Sequence, residues 1–452
     1  MLGVLANRTY RRLFAAQVVA LIGTGLLTVA LGLLAYRLAG AEAGAVLGTA
    51  LAIKMVAYVG VAPVASAFTG LWPRRAFLVA TDLIRAGIAL ALPFVDRVWQ
   101  VYLLIFVLQC CSAAFTPTFQ ATIPEILPEE RDYTRALSLS RLAYDLENLL
   151  SPTLAALLLT VIDFPGLFGG TVIGFLGSAA LVVSVPLPSP PPAHRAGLLA
   201  RTTRGLRIAL ATPRLRGLLA LNLAVAAAGA MVIVNTVLIV QALLQRPPGD
   251  VAVTLGLFGG GSMLAALVLP RLLDRLPDRA VMIPAAALLG LVLLALAAAS
   301  RDGTIGWPTL LAAWLVLGFG SSAVQTPTGR LLRRSAAVAD RPAVFAAQFA
   351  LSHAAWLLTY PLAGWLGARA GLPVTLALLG ALTLAAVAAA ARLWPAADPD
   401  IVEHAHPDLA PDHPHLGSLG SLGAERRTQI HTHAHAFVID DLHHHWPVAR
   451  PG

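Results

Sequence analysis

The sequence predicts an all-α membrane protein: twelve transmembrane helices in two six-helix pseudo-symmetric halves, followed by a mostly flexible C-terminal tail. Three observations predict it. The mean hydropathy is +0.76, with 58% hydrophobic and only 12% charged residues, which excludes an ordinary soluble domain. Apolar runs of about 20 residues, each able to cross ~30 Å of hydrocarbon, recur along the chain. A seven-residue segment of the fourth run returns in the tenth.

The runs lie near residues 13–37, 43–67, 76–94, 99–122, 136–161, 166–185, 217–242, 251–273, 280–300, 306–328, 344–366 and 373–394. The first is too long for a cleavable signal and lacks a small-residue cleavage site, so none is expected. Residues 186–216 begin Pro-rich (Pro186-Leu-Pro-Ser-Pro-Pro-Pro) and continue Arg-rich from Arg195 to Arg216. They read as a cytoplasmic linker between the halves 1–185 and 217–395, with Leu198 to Leu210 lying on the membrane surface as an amphipathic helix. Ser112-Ala-Ala-Phe-Thr116-Pro117-Thr118 and Ser322-Ala-Val-Gln325-Thr326-Pro327-Thr328 match at five of seven positions, 210 residues apart. They occupy corresponding runs, the mark of parallel six-span repeats about an axis along the membrane normal.

The net charge of +9 hides a split, because the tail (396–452) holds eight acids against three arginines. The body's arginines sit in alternate loops, so they are no nucleic-acid footprint. Arg8, Arg11, Arg12, Arg74, Arg75, Arg131, Arg135, the stretch Arg195 to Arg216, Arg271, Arg275, Arg279, Arg330, Arg333, Arg334 and Arg341 share one side. By the positive-inside rule both termini of this multi-pass cell-membrane protein are expected in the cytoplasm. Cys110 and Cys111 are sequence neighbours on a helix and read as small packing residues, since they cannot form an unstrained disulfide. Gly259-Gly-Gly261 precedes no Lys-Ser/Thr and reads as close helix packing. No nucleotide-binding, hydrolase or transferase constellation is present, so the expectation is a non-enzyme that needs no cofactor and is driven by a proton gradient.

An ionised group at bilayer depth costs at least ~2.5–3.5 kcal/mol, so each one calls for a partner or a role. Lys54, the only lysine, lies in the second span, Asp82 and Arg85 in the third, Asp145 and Glu147 in the fifth, and His353 in the eleventh. Helical spacing pairs Asp82 with Arg85 and Arg141 with Asp145. Glu147 falls on another face with Tyr144 and Ser151. These six ionisable residues in the spans are the candidates for transport and coupling. Thr116, Thr118, Gln325 and Thr326 are candidate cavity-lining residues, although hydroxyls beside prolines also satisfy freed backbone carbonyls.

Ten of the twelve histidines lie in the last 49 residues: His404, His406, His413, His415, His431, His433, His435, His443, His444 and His445. Imidazole is the commonest transition-metal ligand, and the H-x-H spacing lets neighbouring rings share an ion. Imidazole and carboxylate without thiolate suit Ni²⁺, Co²⁺ or Zn²⁺ rather than Cu⁺. Pro407, Pro411 and Pro414 break the first part of the tail into turns, whereas Ala436 to Leu442 is apolar enough to dock.

Across residues 8–394 the chain resembles the major facilitator superfamily. Pro270-Arg-Leu-Leu-Asp274-Arg275-Leu-Pro-Asp278-Arg279 is similar to its charged loop after span 8. The counterpart Thr69-Gly-Leu-Trp-Pro-Arg74-Arg75 lacks the usual Asp-Arg pair, which puts the latch of the N-terminal half in question. The segments Tyr133 to Pro152 and Leu351 to Trp365, with Asp412-His-Pro-His and His435-Ala-Phe-Val-Ile-Asp-Asp-Leu, resemble the nickel-resistance (NreB-type) branch with histidine-rich C-termini. The resemblance implies that spans 2, 5, 8 and 11 line the contact between halves, where Lys54, Glu147 and His353 converge. It also implies a monomer exporting a divalent metal, nickel first and then cobalt or zinc, by proton-coupled alternating access. Export of a drug-like organic compound with the tail as bystander, and a membrane metal sensor without transport, are the rival readings.

Overall fold

The computed structural model describes residues 2–39, 43–68, 72–188, 197–247, 249–300, 305–399, 401–406 and 431–447. The N-terminal half contains α1 (Arg8–Ala39), α2 (Ala43–Phe68), α3 (Arg74–Ala91), α4 (Val98–Ile126), α5 (Glu130–Leu158) and α6 (Phe164–Val183). The linker supplies α7 (Leu198–Ala211). The C-terminal half contains α8 (Pro213–Val237), α9 (Gly249–Leu273), α10 (Asp278–Ala299), α11 (Trp307–Gln325), α12 (Thr328–Arg334), α13 (Arg341–Arg369) and α14 (Leu372–Leu393). Two strands follow, β1 (Ile401–His406) and β2 (His431–Ala436).

Eleven of these helices, some with a short continuation, are long and apolar enough to cross a membrane. The remaining long helix, α5, has 29 residues but is interrupted by charge from Glu130 to Glu147. It packs on α1 and α9 and completes the twelve-helix layout. Prolines in the first turn open α6, α8, α11, α13 and α14, where a missing N–H costs nothing.

Within the N-terminal half α6 packs on α1 and α3, and α4 on α2 and α3. The C-terminal half pairs α9 with α11, α14 with α8 and α10, and α13 with α8. The halves meet through α5 against α9 and α2 against α13, which are spans 5, 8, 2 and 11. The repeated segment is not mechanically equivalent in the two halves. α4 runs unbroken through Pro117, whereas the C-terminal copy breaks at Thr326-Pro327 into α11 and α12.

The linker helix buries Ile208 and Ala209 against the bundle and leaves Leu199, Leu206 and Leu210 exposed. It packs on α13 and α2, and Gly205 brings its backbone against the Ala343 carbonyl. We call this the linker face of the bundle.

Two tail segments expected as coil are strands instead. β1 and β2 pair antiparallel, with His404 opposite His433 and His406 opposite His431. The prolines at 407, 411 and 414 and the candidates His413 and His415 lie outside the described residues.

The glycine run in α9 does serve close packing. A Cβ on Gly261 would enter the Leu315 carbonyl of α11, and one on Gly318 would enter the Phe258 carbonyl of α9. Gly260 next door has open space around it. Gly261→Ala is expected to cost about 1–3 kcal/mol through overpacking, while Gly260→Ala is near neutral. Melting temperatures of the two purified variants, compared with the parent, check this.

Candidate functional site

Near the middle of the seam, α2, α5 and α13 gather three of the predicted ionisable residues. Lys54 Nζ sits 5.4 Å from the centre of the Tyr58 ring, one turn along α2. Tyr58 meets Phe349 and His353 of α13 at ring distances of 4.8 and 4.7 Å. Phe349 and His353, one turn apart, stack at 4.2 Å. His353 Nδ1 lies 2.7 Å from the Phe349 carbonyl oxygen. A carbonyl only accepts, so Nδ1 carries the proton and Nε2 keeps the lone pair in the neutral ring. Gly25 of α1 leaves room for Ser151 of α5, whose hydroxymethyl group a Cβ there would strike, and Glu147 Oε1 stands beside it, 3.1 Å from where that Cβ would be. Lys54 acts electrostatically on both Glu147 and His353, so the three predicted residues share one field.

The other predicted residues do different work. Asp145 bonds to Arg141 (3.3 Å) and accepts from Ser262 of α9 (2.6 Å). Arg141 also donates to Ser262 (2.9 Å) and Gln325 (3.1 Å), so Asp145 and Gln325 belong to a tie across the halves. Asp82 and Arg85 pair deep inside the N-terminal half, with the guanidinium 4.4 Å from Phe115 and 4.6 Å from Phe175. Thr118 donates to the Ala114 carbonyl (2.8 Å), Thr326 lies buried 3.5 Å from Ser322, and Thr116 is half-buried on α4. Tyr58, Phe349 and Ser262 were not singled out from the sequence. The first two lie one helical turn from Lys54 and His353, a spacing that points to them.

A second polar layer closes the linker face. Arg330 of α12 ion-pairs with Glu130 of α5, donates to Thr134 (3.0 Å), and reaches Asp278 at 3.1 Å. Asp274 pairs with Arg131 at 3.4 Å, and Arg333 donates to the Pro128 carbonyl. The charged loop thus engages the opposite half directly through Asp274, and through Asp278 only by way of Arg330, which carries the contact on to Glu130.

Where the counterpart loop lacks the Asp-Arg pair, the N-terminal half carries a different ion pair. Arg74 at the start of α3 pairs with Glu125 at the end of α4 at 2.6 Å, both nearly buried. Asp278 at the start of α10 pairs with Arg334 at the end of α12 at 3.3 Å. The same positions in the two repeats carry the pair with opposite polarity.

The tail docks on the linker face, as the apolar segment after Ala436 predicts. Phe437 and Ile439 are buried in the core of the C-terminal half, and Arg214 of α8 sits 5.1 Å over the Trp446 ring. Arg214 also pairs with Asp398 (3.2 Å). Arg204 of α7 links Asp441 (2.7 Å) to Asp340 ahead of α13. Three of the ten tail histidines, His404, His435 and His443, bring ligand atoms within 4.8 Å of one another. Burial pushes the His404 imidazole below its ordinary pKa. Burial alone would raise the Asp440 carboxyl, but hydrogen bonds from His443 and Leu442 outweigh it and hold it at about 2. His444 and His445 are exposed and outside this group, and of His406, His431 and His433 only the backbone register is described.

The Major Facilitator Superfamily family model matches residues 13–245 and 219–416. The chain belongs to this superfamily. It is a multi-pass membrane transporter, not an enzyme. It is 25% identical over 181 residues to macrolide efflux protein A of Streptococcus pyogenes, covering 39% of this chain and 44% of that one. The alignment thus spans less than half of the relative's length. The fold matches the human organic anion transporter MFSD10 (TM-score 0.72, 14% identity, 85% of this chain and 99% of that one). It also matches a bacterial homologue of the iron transporter ferroportin in an outward-facing state (TM-score 0.70, 14% identity, 85% and 99%).

Removing one partner of a buried ion pair leaves an uncompensated charge and costs about 3–5 kcal/mol. Glu125→Gln is therefore expected to lower the melting temperature sharply, and the double exchange Arg74→Glu with Glu125→Arg to restore most of it. Thermal unfolding of the single and double variants measures both.

Proposed function

We propose that this carrier is an exporter whose linker face looks into the cytoplasm, and that it moves an amphiphilic organic compound outward in exchange for protons. The observation that carries this reading is the make-up of the mid-seam group. Lys54, Glu147, Tyr58, Phe349 and His353 offer one carboxylate, one ammonium and several ring faces. Ring faces beside one carboxylate and one ammonium hold a bulky amphiphilic solute by stacking and cation–π contact. A bare divalent ion needs more donors. Among the described residues the one group of three metal ligands lies in the tail and not at the seam. The partial likeness to macrolide efflux proteins supports the same solute class.

Glu147 is the proton carrier in this reading. Open to the outside, it takes a proton and lets the solute leave; open to the cytoplasm, it gives the proton up as the next solute binds. Lys54 supplies the counter-charge while Glu147 is ionised. The ties at Asp145 and Arg330 must break for the cytoplasmic side to open.

A second reading is export of a divalent metal, nickel first and then cobalt or zinc, with Glu147 and the Nε2 of His353 as ligands. The histidine group on the linker face favours it, since it would collect such ions at the cytoplasmic mouth.

Cells expressing the full chain or its Glu147→Gln variant, loaded with a radiolabelled macrolide or exposed to graded Ni²⁺, Co²⁺ and Zn²⁺, separate the readings. The parent should hold less macrolide than control cells at unchanged metal content. Glu147→Gln should return macrolide to the control level with equal protein in the membrane. Lower nickel with unchanged macrolide would replace the first reading by the second, and undiminished export by Glu147→Gln would remove the carboxylate from coupling.

A further inference from the structure

The docked tail presents its histidines in a specific arrangement. His404 Nδ1 lies 3.0 Å from the Val402 carbonyl, and His435 Nδ1 lies 2.9 Å from the Ala436 carbonyl. His443 Nδ1 lies 2.8 Å from the Asp440 carboxylate. All three Nδ1 atoms face acceptors and so carry a proton, which leaves Nε2 as the nitrogen each ring can offer an ion once the proton shared between His404 Nε2 and His443 Nε2 is released. Outer oxygens that fix ring and tautomer in this way are what metal-binding histidines use.

The backbone sets the rings up before any ion arrives. The register puts Val402 opposite His435, so His404 and His435 lie two residues apart along one face of the hairpin. Asp440 accepts from the N–H groups of Leu442 and His443 (both 2.8 Å), a turn that folds His443 back over the strands. His404 Nε2 and His443 Nε2 are 2.9 Å apart. Metal–nitrogen bonds of about 2.0–2.1 Å in a tetrahedron need nitrogens about 3.3–3.4 Å apart, so an ion requires the His404–His443 pair to open slightly and the ligand atoms of the three rings, now within 4.8 Å of one another, to draw together around it. Phe437 closes the floor, 4.9 Å from the His404 ring and 4.6 Å from the His443 ring.

The same turn is wired to the moving parts of the carrier. Asp441, beside Asp440, binds Arg204 of the linker helix, and Arg204 binds Asp340 at the head of α13. Through α7 and α13 the turn that orients His443 thus reaches a helix of the seam.

We propose that His404, His435 and His443 hold one divalent transition-metal ion of the zinc, nickel and cobalt class through their Nε2 atoms, and that its occupancy sets the tail's grip on the linker helix. An occupied site fixes the turn at Asp440-Asp441 and with it the Arg204 link. The cell's metal level then regulates the carrier from the tail, whichever solute crosses the membrane. The ion is a ligand here and not cargo, so this inference stands apart from the two export readings.

The other tail histidines also bind metal to some degree, so the test must isolate the three. We would titrate the purified full-length chain with Co²⁺ in two variants. One keeps His404, His435 and His443 and carries Gln at the other seven tail histidines. The other carries His404→Gln, His435→Gln and His443→Gln and keeps those seven. The first should bind one Co²⁺ per chain with the intense visible absorption of a low-coordinate site, and the second should bind at least tenfold more weakly without that band. Equal binding by both, or no saturable binding by the first, would overturn the site.

Hydrogen exchange reads the regulatory half. Co²⁺ should slow exchange in α7 and in residues 431–447 of the parent. In Asp441→Ala, Co²⁺ should still bind but leave α7 unchanged. An α7 indifferent to metal in the parent would refute the link between ion and linker helix, even with the ion bound.

Discussion

Water is absent from the bilayer core, and that absence organises this molecule more than any single contact. An ionised side chain there must find a counter-charge or a ring face within the protein. The result is a sorting of charge by depth. Asp82 and Arg85 neutralise each other inside one half, with Phe115 and Phe175 against the guanidinium. Arg141 and Asp145 pair with each other and also reach Ser262 and Gln325 in the other half. Lys54 rests on Tyr58 and shares a field with Glu147 and His353. Where charges are satisfied across the seam, the halves are held together, so charge neutrality and conformational state become the same quantity.

The linker face shows that logic at its densest. Arg330, Arg334, Asp278 and Glu130 form a run of alternating charge from α5 through α12 to α10. The two repeats keep a pair at the same helix ends but reverse its sign, Arg74 with Glu125 in one and Asp278 with Arg334 in the other. A buried pair tolerates reversal because the attraction between its partners depends on the product of their charges, which is unchanged when both switch. The requirement conserved between the repeats is therefore neutrality at that depth, not a residue type.

Much of the architecture was legible in the sequence for physical reasons. Hydrocarbon thickness fixes span length, so the apolar runs marked the helices to within a few residues. Helical spacing paired Asp82 with Arg85 and Arg141 with Asp145, and the segment after Ala436 docks as its apolar character predicts. What was not legible depends on distant partners. Nothing local to Asp145 names Ser262, 117 residues away, and nothing local to Arg204 names Asp441. The strands of the tail were missed because H-x-H runs carry a weak strand signal, and pairing across a long connection supplies what propensity does not. Grouping His404, His435 and His443 among the described tail residues likewise required the turn at Asp440, whose effect is on orientation rather than on composition.

The docking of the tail changes what its removal means. A chain cut at Pro395 loses more than histidines: Arg214 would lose Asp398 and the Trp446 ring, Arg204 would lose Asp441, and the apolar seat of Phe437 and Ile439 would open to water. Such a truncation alters the electrostatics of the linker and the packing of the C-terminal half at once. The docked residues Phe437 to Trp446 therefore act as a structural keystone as well as an appendage, and a fusion partner or purification tag attached to the tail shares its foundations with the transport machinery.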